Sequence, residues 1–161
     1  MTTWNDVHDD APELADLVRG RFEEHGLAYM ATLRRDGSPR LSGVEPWFGD
    51  GDVWMGMMWQ SRKALDLRRD PRCALHSANT DTQVSDGDAR IGGRVVEHLD
   101  EAGLARGRDL YEAATGDRSP DGPMHLFSLD IAEVVFLRPE DDRLVIRSWT
   151  PGRGERRIAR T

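Results

Sequence analysis

Between Leu27 and Met58 the chain turns back on itself twice, each time at residues that no regular element holds well. Leu27 to Leu33 is an apolar run of strand-forming texture, and Arg35-Asp36-Gly37-Ser38-Pro39 follows as a turn. Arg40 to Phe48 is a second run, closed by Gly49-Asp50-Gly51-Asp52, and Val53 to Met58 is a third. Connections this short force antiparallel neighbours, because a parallel pair needs a crossover of a dozen residues or more. The texture recurs at Arg72 to Ser77, at Arg90 to Glu97, and at about Phe127 to Leu137 and Arg143 to Trp149 around the turn Arg138 to Asp142. Gly92-Gly93 marks a bulge or a close backbone approach. Six or more short antiparallel strands predict a small barrel or sandwich, not the parallel sheet that alternating strands and helices would build.

Helical periodicity is confined to three stretches. Asp10-Ala11-Pro12-Glu13 reads as a helix start with Asp10 as N-cap, Leu14, Leu17, Val18 and Phe22 recur at helical spacing, and Gly26 closes the helix. Arg62 to Arg69 is a short helix stopped by Asp70-Pro71, where proline forbids continuation. Asp100 to Thr115 is a third, softened by Gly103 and Gly107. Asn79 to Asp88 reads as a polar loop and Asp117 to Pro123 as a connection. With 161 residues the expectation is one domain over 1–161, of which 1–26 is an N-terminal helical segment.

Composition narrows the function. A net charge of −7 argues against a nucleic-acid partner, which requires a basic face. No stretch approaches the roughly 20 apolar residues of a membrane span, no secretory signal is visible, and the single Cys73 has no disulfide partner, so a cytoplasmic protein is expected. His8, His25, His76, His98 and His125 are scattered with no i, i+4 pairing, which predicts no metal site. Cys73 alternates with strand positions beside Ala74 and Leu75 and reads as core.

Lys63 is the only lysine in the chain, and it stands in Ser61-Arg62-Lys63, between a strand and the short helix. A helix start presents unpaired N–H groups and the positive end of a dipole, both of which favour an anion. A hydroxyl and two cations at the same spot predict a phosphate site; the plainer reading is a serine-capped helix with solvated basic residues.

The order of meander, Ser61-Arg62-Lys63 and Leu67-Arg68-Arg69-Asp70-Pro71-Arg72-Cys73-Ala74-Leu75 resembles the flavin-binding split β-barrels related to pyridoxamine 5′-phosphate oxidase. Ile91-Gly92-Gly93-Arg94-Val95 and the ending from Arg143 to Gly154 are similar too. The resemblance implies a six- to eight-stranded antiparallel split β-barrel with a few short flanking helices, and a homodimer with FMN between subunits. In it Arg62 and Lys63, with Ser61, hold the flavin phosphate. Met57, Met58, Ser42 and Val44 lie along the ribityl chain and ring, Arg147 faces the flavin and Arg143 the substrate.

This chain departs from the oxidase on the second strand, at Leu41-Ser42-Gly43-Val44-Glu45-Pro46, and at Val145, where the oxidase has a substrate-facing histidine. The resemblance implies an FMN-binding oxidoreductase acting on a small substrate that it does not identify, and these departures set the chain apart from the oxidase at its substrate-facing positions. The alternatives are a reductase using a deazaflavin coenzyme (factor 420) and a non-catalytic flavin- or haem-binding protein, with His76 as the candidate haem ligand. The ending Arg153, Arg156, Arg157 and Arg160 reads as a solvated basic tail.

Overall fold

The computed structural model describes residues 1–161. Two helices, α1 (Trp4–Asp10) and α2 (Pro12–His25), precede the strands β1 (Ala28–Leu33), β2 (Pro39–Val44), β3 (Pro46–Gly49) and β4 (Asp52–Met58). Helix α3 (Arg62–Arg69) leads into β5 (Arg72–Ser77) and the long β6 (Asp88–His98). Helix α4 (Glu101–Thr115) then leads into β7 (Met124–Glu140), β8 (Arg143–Thr150) and β9 (Gly154–Arg160).

The strands hydrogen-bond in the order β2-β1-β5-β6-β7-β4-β3, with β8 and β9 continuing from the far half of β7, and each of these pairings is antiparallel. β2 and β3 stand at opposite ends of this path, yet only Glu45 separates them in sequence. The sheet therefore curls until its two edges meet, and the closure there is covalent chain instead of a ladder. This is the split barrel that the sequence implies.

Its interior is filled by alternate residues of the strands, among them Met30, Val44, Val53, Met55, Leu75, Ile91, Phe127 and Leu129. Helix α2 packs Leu14, Val18 and Phe22 onto one mouth. A smaller apolar layer of Trp47, Trp54 and Leu126 lies outside the barrel wall, against Leu104, Leu110 and Tyr111 of α4.

Several boundaries differ from the sequence expectation, each for a local reason. The run Arg40 to Phe48 divides at Glu45, because Pro46 has no N–H to continue a ladder. With the added β9 this gives nine strands, not six to eight. The basic ending is not a solvated tail: β9 pairs with β8, Arg157 bonds Glu140 at 2.7 Å, and Glu155 bonds Arg147 at 3.0 Å. Asp10 does not cap α2; its carboxylate accepts from the Trp149 indole at 2.6 Å, and Ala11 takes the cap position. Helix α1 arises from a capping box that Thr3 and Asp6 form with each other. Cys73 packs against the core, where burial pushes its thiol up to about 12 and removes it from redox chemistry at neutral pH.

Gly107 and Gly93 are fixed by close approach. Gly107 leaves α4 continuous, because a Cβ there would lie 2.1 Å from a methyl of Leu126; the glycine lets helix and barrel wall meet. Gly93 sits at the β6–β7 bulge, where the register slips past Ala132 and a Cβ would fall 2.2 Å from the Asp130 carbonyl oxygen. A backbone atom cannot rotate aside. Gly93→Ala is therefore expected to cost at least the ~1–3 kcal/mol of overpacking, read as a lower urea midpoint; an unchanged midpoint would show that the bulge relaxes freely.

Candidate functional site

The polypeptide leaves β4 at Met58, passes Trp59 and Gln60, and enters α3 at Ser61. Gln60 has φ of +58°, a region sparsely populated by residues with a side chain. Its backbone N–H is held by His125 on β7, whose Nε2 accepts at 3.2 Å. Accepting there leaves the imidazole proton on Nδ1, which lies 2.8 Å from Glu97 on β6 and donates to it. Glu97 in turn pairs with Arg68 of α3 at 2.9 Å. The Trp59 indole stacks flat on the same imidazole, ring centroids 4.6 Å apart and 12° from parallel. A buried histidine thus fixes both the wall residue Trp59 and the backbone from which α3 starts. His125→Phe keeps the stacking and removes both hydrogen bonds. It is expected to destabilise by about 1–2 kcal/mol, measured by chemical unfolding, and a wild-type midpoint would remove His125 from this role.

At the helix start, Ser61 adopts the extended backbone of an N-cap but its hydroxyl caps nothing. Ser61 Oγ is buried without a hydrogen-bond partner in the protein. The ordinary use of serine at this position is therefore not realised, and the group is free for a ligand. Arg62 is exposed and makes no ion pair, while Lys63 is half-buried and donates to the Gly43 carbonyl of β2. One donor so used leaves two on the ammonium.

Arg40 on β2 approaches from the other side, its guanidinium 2.6 Å from Asp66 of α3. Asp66 also pairs with Arg69 at 3.2 Å and accepts from the Thr32 hydroxyl at 3.2 Å. Burial works against the Asp66 charge, and the hydrogen bonds from Arg40, Arg69 and Thr32 outweigh it and hold the carboxyl below its ordinary value. Sequence reading did not single out Arg40, His125 or Asp66. All three are recruited by strand register and helix packing, which no local motif reports.

The structure brings Ser61, Arg62, Lys63 and the Ser42–Gly43 stretch of β2 to one place, with Met58 at the adjacent strand end. Met58 is 80% exposed, whereas Met57 points inward. Val44 is fully buried in the barrel interior, so its side chain cannot lie along a bound ring; inward alternation on β2 corrects that assignment. Arg143 and Arg147 are not part of this place within one chain. Arg147 stands opposite Phe136, while Met57 stands opposite His125, far apart on β7 and on the order of 30 Å along an extended strand. Arg147 is also occupied by Glu155 and by Glu13 at 3.5 Å.

Beside Met58 opens a cavity of about 340 Å³ between the outer barrel wall and α4. Trp47, Met58, Trp59, Tyr111 and Met124 supply apolar walls, and Trp47 meets Tyr111 edge-on with centroids 5.2 Å apart. Two lining residues carry buried donors with no protein partner, Trp47 Nε1 and Arg108 Nε. An apolar slot with a few unsatisfied donors suits a small planar molecule bearing hydrogen-bond acceptors. The sequence showed the tryptophans but not the cavity, because α4 and β3 meet only in the fold.

Comparison with known proteins bears on the family and the fold. The family described as pyridoxamine 5′-phosphate oxidase matches residues 14–138. No curated protein matches the sequence. Among solved structures, PhzG from Burkholderia lata, in complex with tetrahydrophenazine-1-carboxylic acid, is 15% identical with a TM-score of 0.65, covering 98% of this chain and 95% of its own. A pyridoxamine 5′-phosphate oxidase-related, FMN-binding protein from Nostoc punctiforme is 16% identical with a TM-score of 0.64, covering 94% and 96%. A heme-binding protein from Mycobacterium smegmatis is 20% identical with a TM-score of 0.60, covering 83% of this chain and 57% of its own. At these identities the likeness establishes the fold.

Proposed function

The chain belongs to the pyridoxamine 5′-phosphate oxidase family, and we propose that it is an FMN-binding oxidoreductase acting on a small substrate held beside α4. The observation that carries this reading is the uncapped, buried Ser61 hydroxyl at a helix start flanked by Arg62 and Lys63. A phosphate monoester carries close to two negative charges and needs several charge-assisted donors. Ser61, Arg62, Lys63 and the first N–H groups of α3 provide them, so the donor set fits a flavin phosphate. When bound, the flavin supplies two-electron redox chemistry, and the protein contributes position and electrostatics. Met58 and Trp59 flank the route from the phosphate site to the cavity, and Trp47 and Arg108 orient acceptor atoms of the substrate there.

Assembly as a homodimer is part of the same proposal. Leu41, Met58, Trp59 and Leu65 are exposed near the helix start, and a second copy would remove them from water. Arg143 and Arg147 would reach a flavin only across such a boundary.

Titration of the purified protein with FMN tests the reading. The expected result is saturable binding with a flavin absorption spectrum, followed by oxidation of a reduced nicotinamide in the presence of an electron acceptor. Binding of haem or a deazaflavin with no uptake of FMN would replace the cofactor assignment. Flavin binding without turnover on any donor would leave a binding protein.

A further inference from the structure

We propose that an arginine-lined basin next to the phosphate site is a second anion subsite, built for a ligand carrying another anionic group besides one phosphate monoester. The inference rests on the phosphate reading above and extends it to the ligand's class. The basin, of about 710 Å³, lies between the β1–β2 turn and one side of α3. Arg34 and Arg35 come from the turn, Arg40 from β2, and Arg62 and Arg69 from the helix. Arg62, Asp66 and Arg69 share that side through i, i+3 and i+4 spacing, whereas Lys63 turns away toward Gly43.

The five arginines are built in two layers. Arg40 and Arg69 are braced by buried Asp66, at 2.6 and 3.2 Å, and Arg69 also donates to the Leu33 carbonyl. These two have fixed positions. Arg34, Arg35 and Arg62 make no ion pair and no side-chain hydrogen bond, although Asp36 lies among them. Asp36 is turned onto Ser38 instead, accepting from its backbone N–H at 2.9 Å and its hydroxyl at 2.6 Å. The basin thus holds five cations against two carboxylates, in a chain whose net charge is −7. A guanidinium cannot shed its proton to relieve such crowding, so the basin keeps its positive charge at neutral pH and attracts an anion. One phosphate at the helix start engages Arg62 and Lys63, which leaves Arg34 and Arg35 for a second group. A diphosphate is the simplest ligand that presents two adjacent anionic centres, whether attached to the flavin or brought by another molecule.

The test uses inorganic orthophosphate and pyrophosphate as probes, by calorimetry on the full chain at 0.15 M salt, where the screening length of about 8 Å suppresses remote charge effects. Pyrophosphate is expected to bind at least about tenfold more tightly than orthophosphate, as one added charge-assisted contact implies. In Arg34→Ala with Arg35→Ala this ratio falls to near one while orthophosphate and FMN affinities hold. Equal affinity for the two probes, or a pyrophosphate preference that survives the double variant, overturns the subsite. Arg62→Ala with Lys63→Ala tests the phosphate site separately: unchanged orthophosphate binding there sinks the first reading, whatever the ratio does. Titration with FMN and FAD then identifies the source. Tighter FAD binding that needs Arg34 and Arg35 places the second anion on the cofactor; equal binding, with the pyrophosphate preference intact, assigns it to a separate molecule.

Discussion

Alanine at both Arg62 and Lys63 is expected to weaken FMN binding by roughly two to four orders of magnitude while leaving the fold intact. Each side chain offers a charge-assisted hydrogen bond worth about 1.5–3 kcal/mol, and about 1.4 kcal/mol is a factor of ten in affinity. Arg62 makes no contact that the fold requires, and the Gly43 carbonyl released by Lys63 lies on an exposed residue where water can replace the ammonium. Stability and affinity should therefore separate in this variant. Fluorescence titration with FMN measures the loss, and riboflavin, which lacks the phosphate, is the control. The phosphate assignment fails if the variant weakens riboflavin as much as FMN, or weakens neither. Ser61→Ala extends the series with a smaller loss of about tenfold, because one neutral donor is removed.

Asp66→Asn is the substitution with the largest expected effect on stability, about 3 kcal/mol. Removing one partner from a buried pair leaves the other charge uncompensated, at ~3–5 kcal/mol; the lower end applies because Arg40 and Arg69 keep some contact with water. The loss should depend on pH with a definite sign. The folded-state pKa of Asp66 is depressed, so its ionised form adds stability at and above the ordinary carboxylate range, and this is lost as pH falls through the folded value. Urea unfolding of wild type and variant should therefore differ fully at pH 7 and converge in strong acid, below about pH 4. A gap that persists unchanged into acid would mean that the variant acts through packing and not through charge.

How much of this was legible in the chain depends on the range of the interaction. The two tight turns, the stop at Asp70-Pro71 and the Gly92-Gly93 irregularity are local chemistry, and each appears where its residues predict it. The start of α3 was readable for the same reason, since hydroxyl and cations stand in sequence. Helix α1 is encoded just as locally, in the Thr3–Asp6 capping pair. The β2–β3 break was signalled only by Pro46, and β9, with its run of charged residues, shows no apolar alternation at all. Arg40, His125, Arg108 and the cavity under α4 could not be read, because register and helix packing bring them together across long separations. Val44 shows the limit of motif transfer: its position on β2 was right, and strand alternation turned its side chain inward.

The seam between β2 and β3 gives the fold a mechanical direction. Every other neighbour around the wall is tied by a ladder of hydrogen bonds, and only Glu45 spans this boundary. A tube slit along one side is stiff everywhere except across the slit. Gly43, which holds Lys63, stands on one lip, while Glu45 and Trp47, which line the cavity, stand on the hinge and the other. The unladdered seam of the barrel therefore runs between the start of α3 and the cavity beside α4. Spreading the lips would break no ladder between strands, whereas opening the wall anywhere else along the strand path would have to break one.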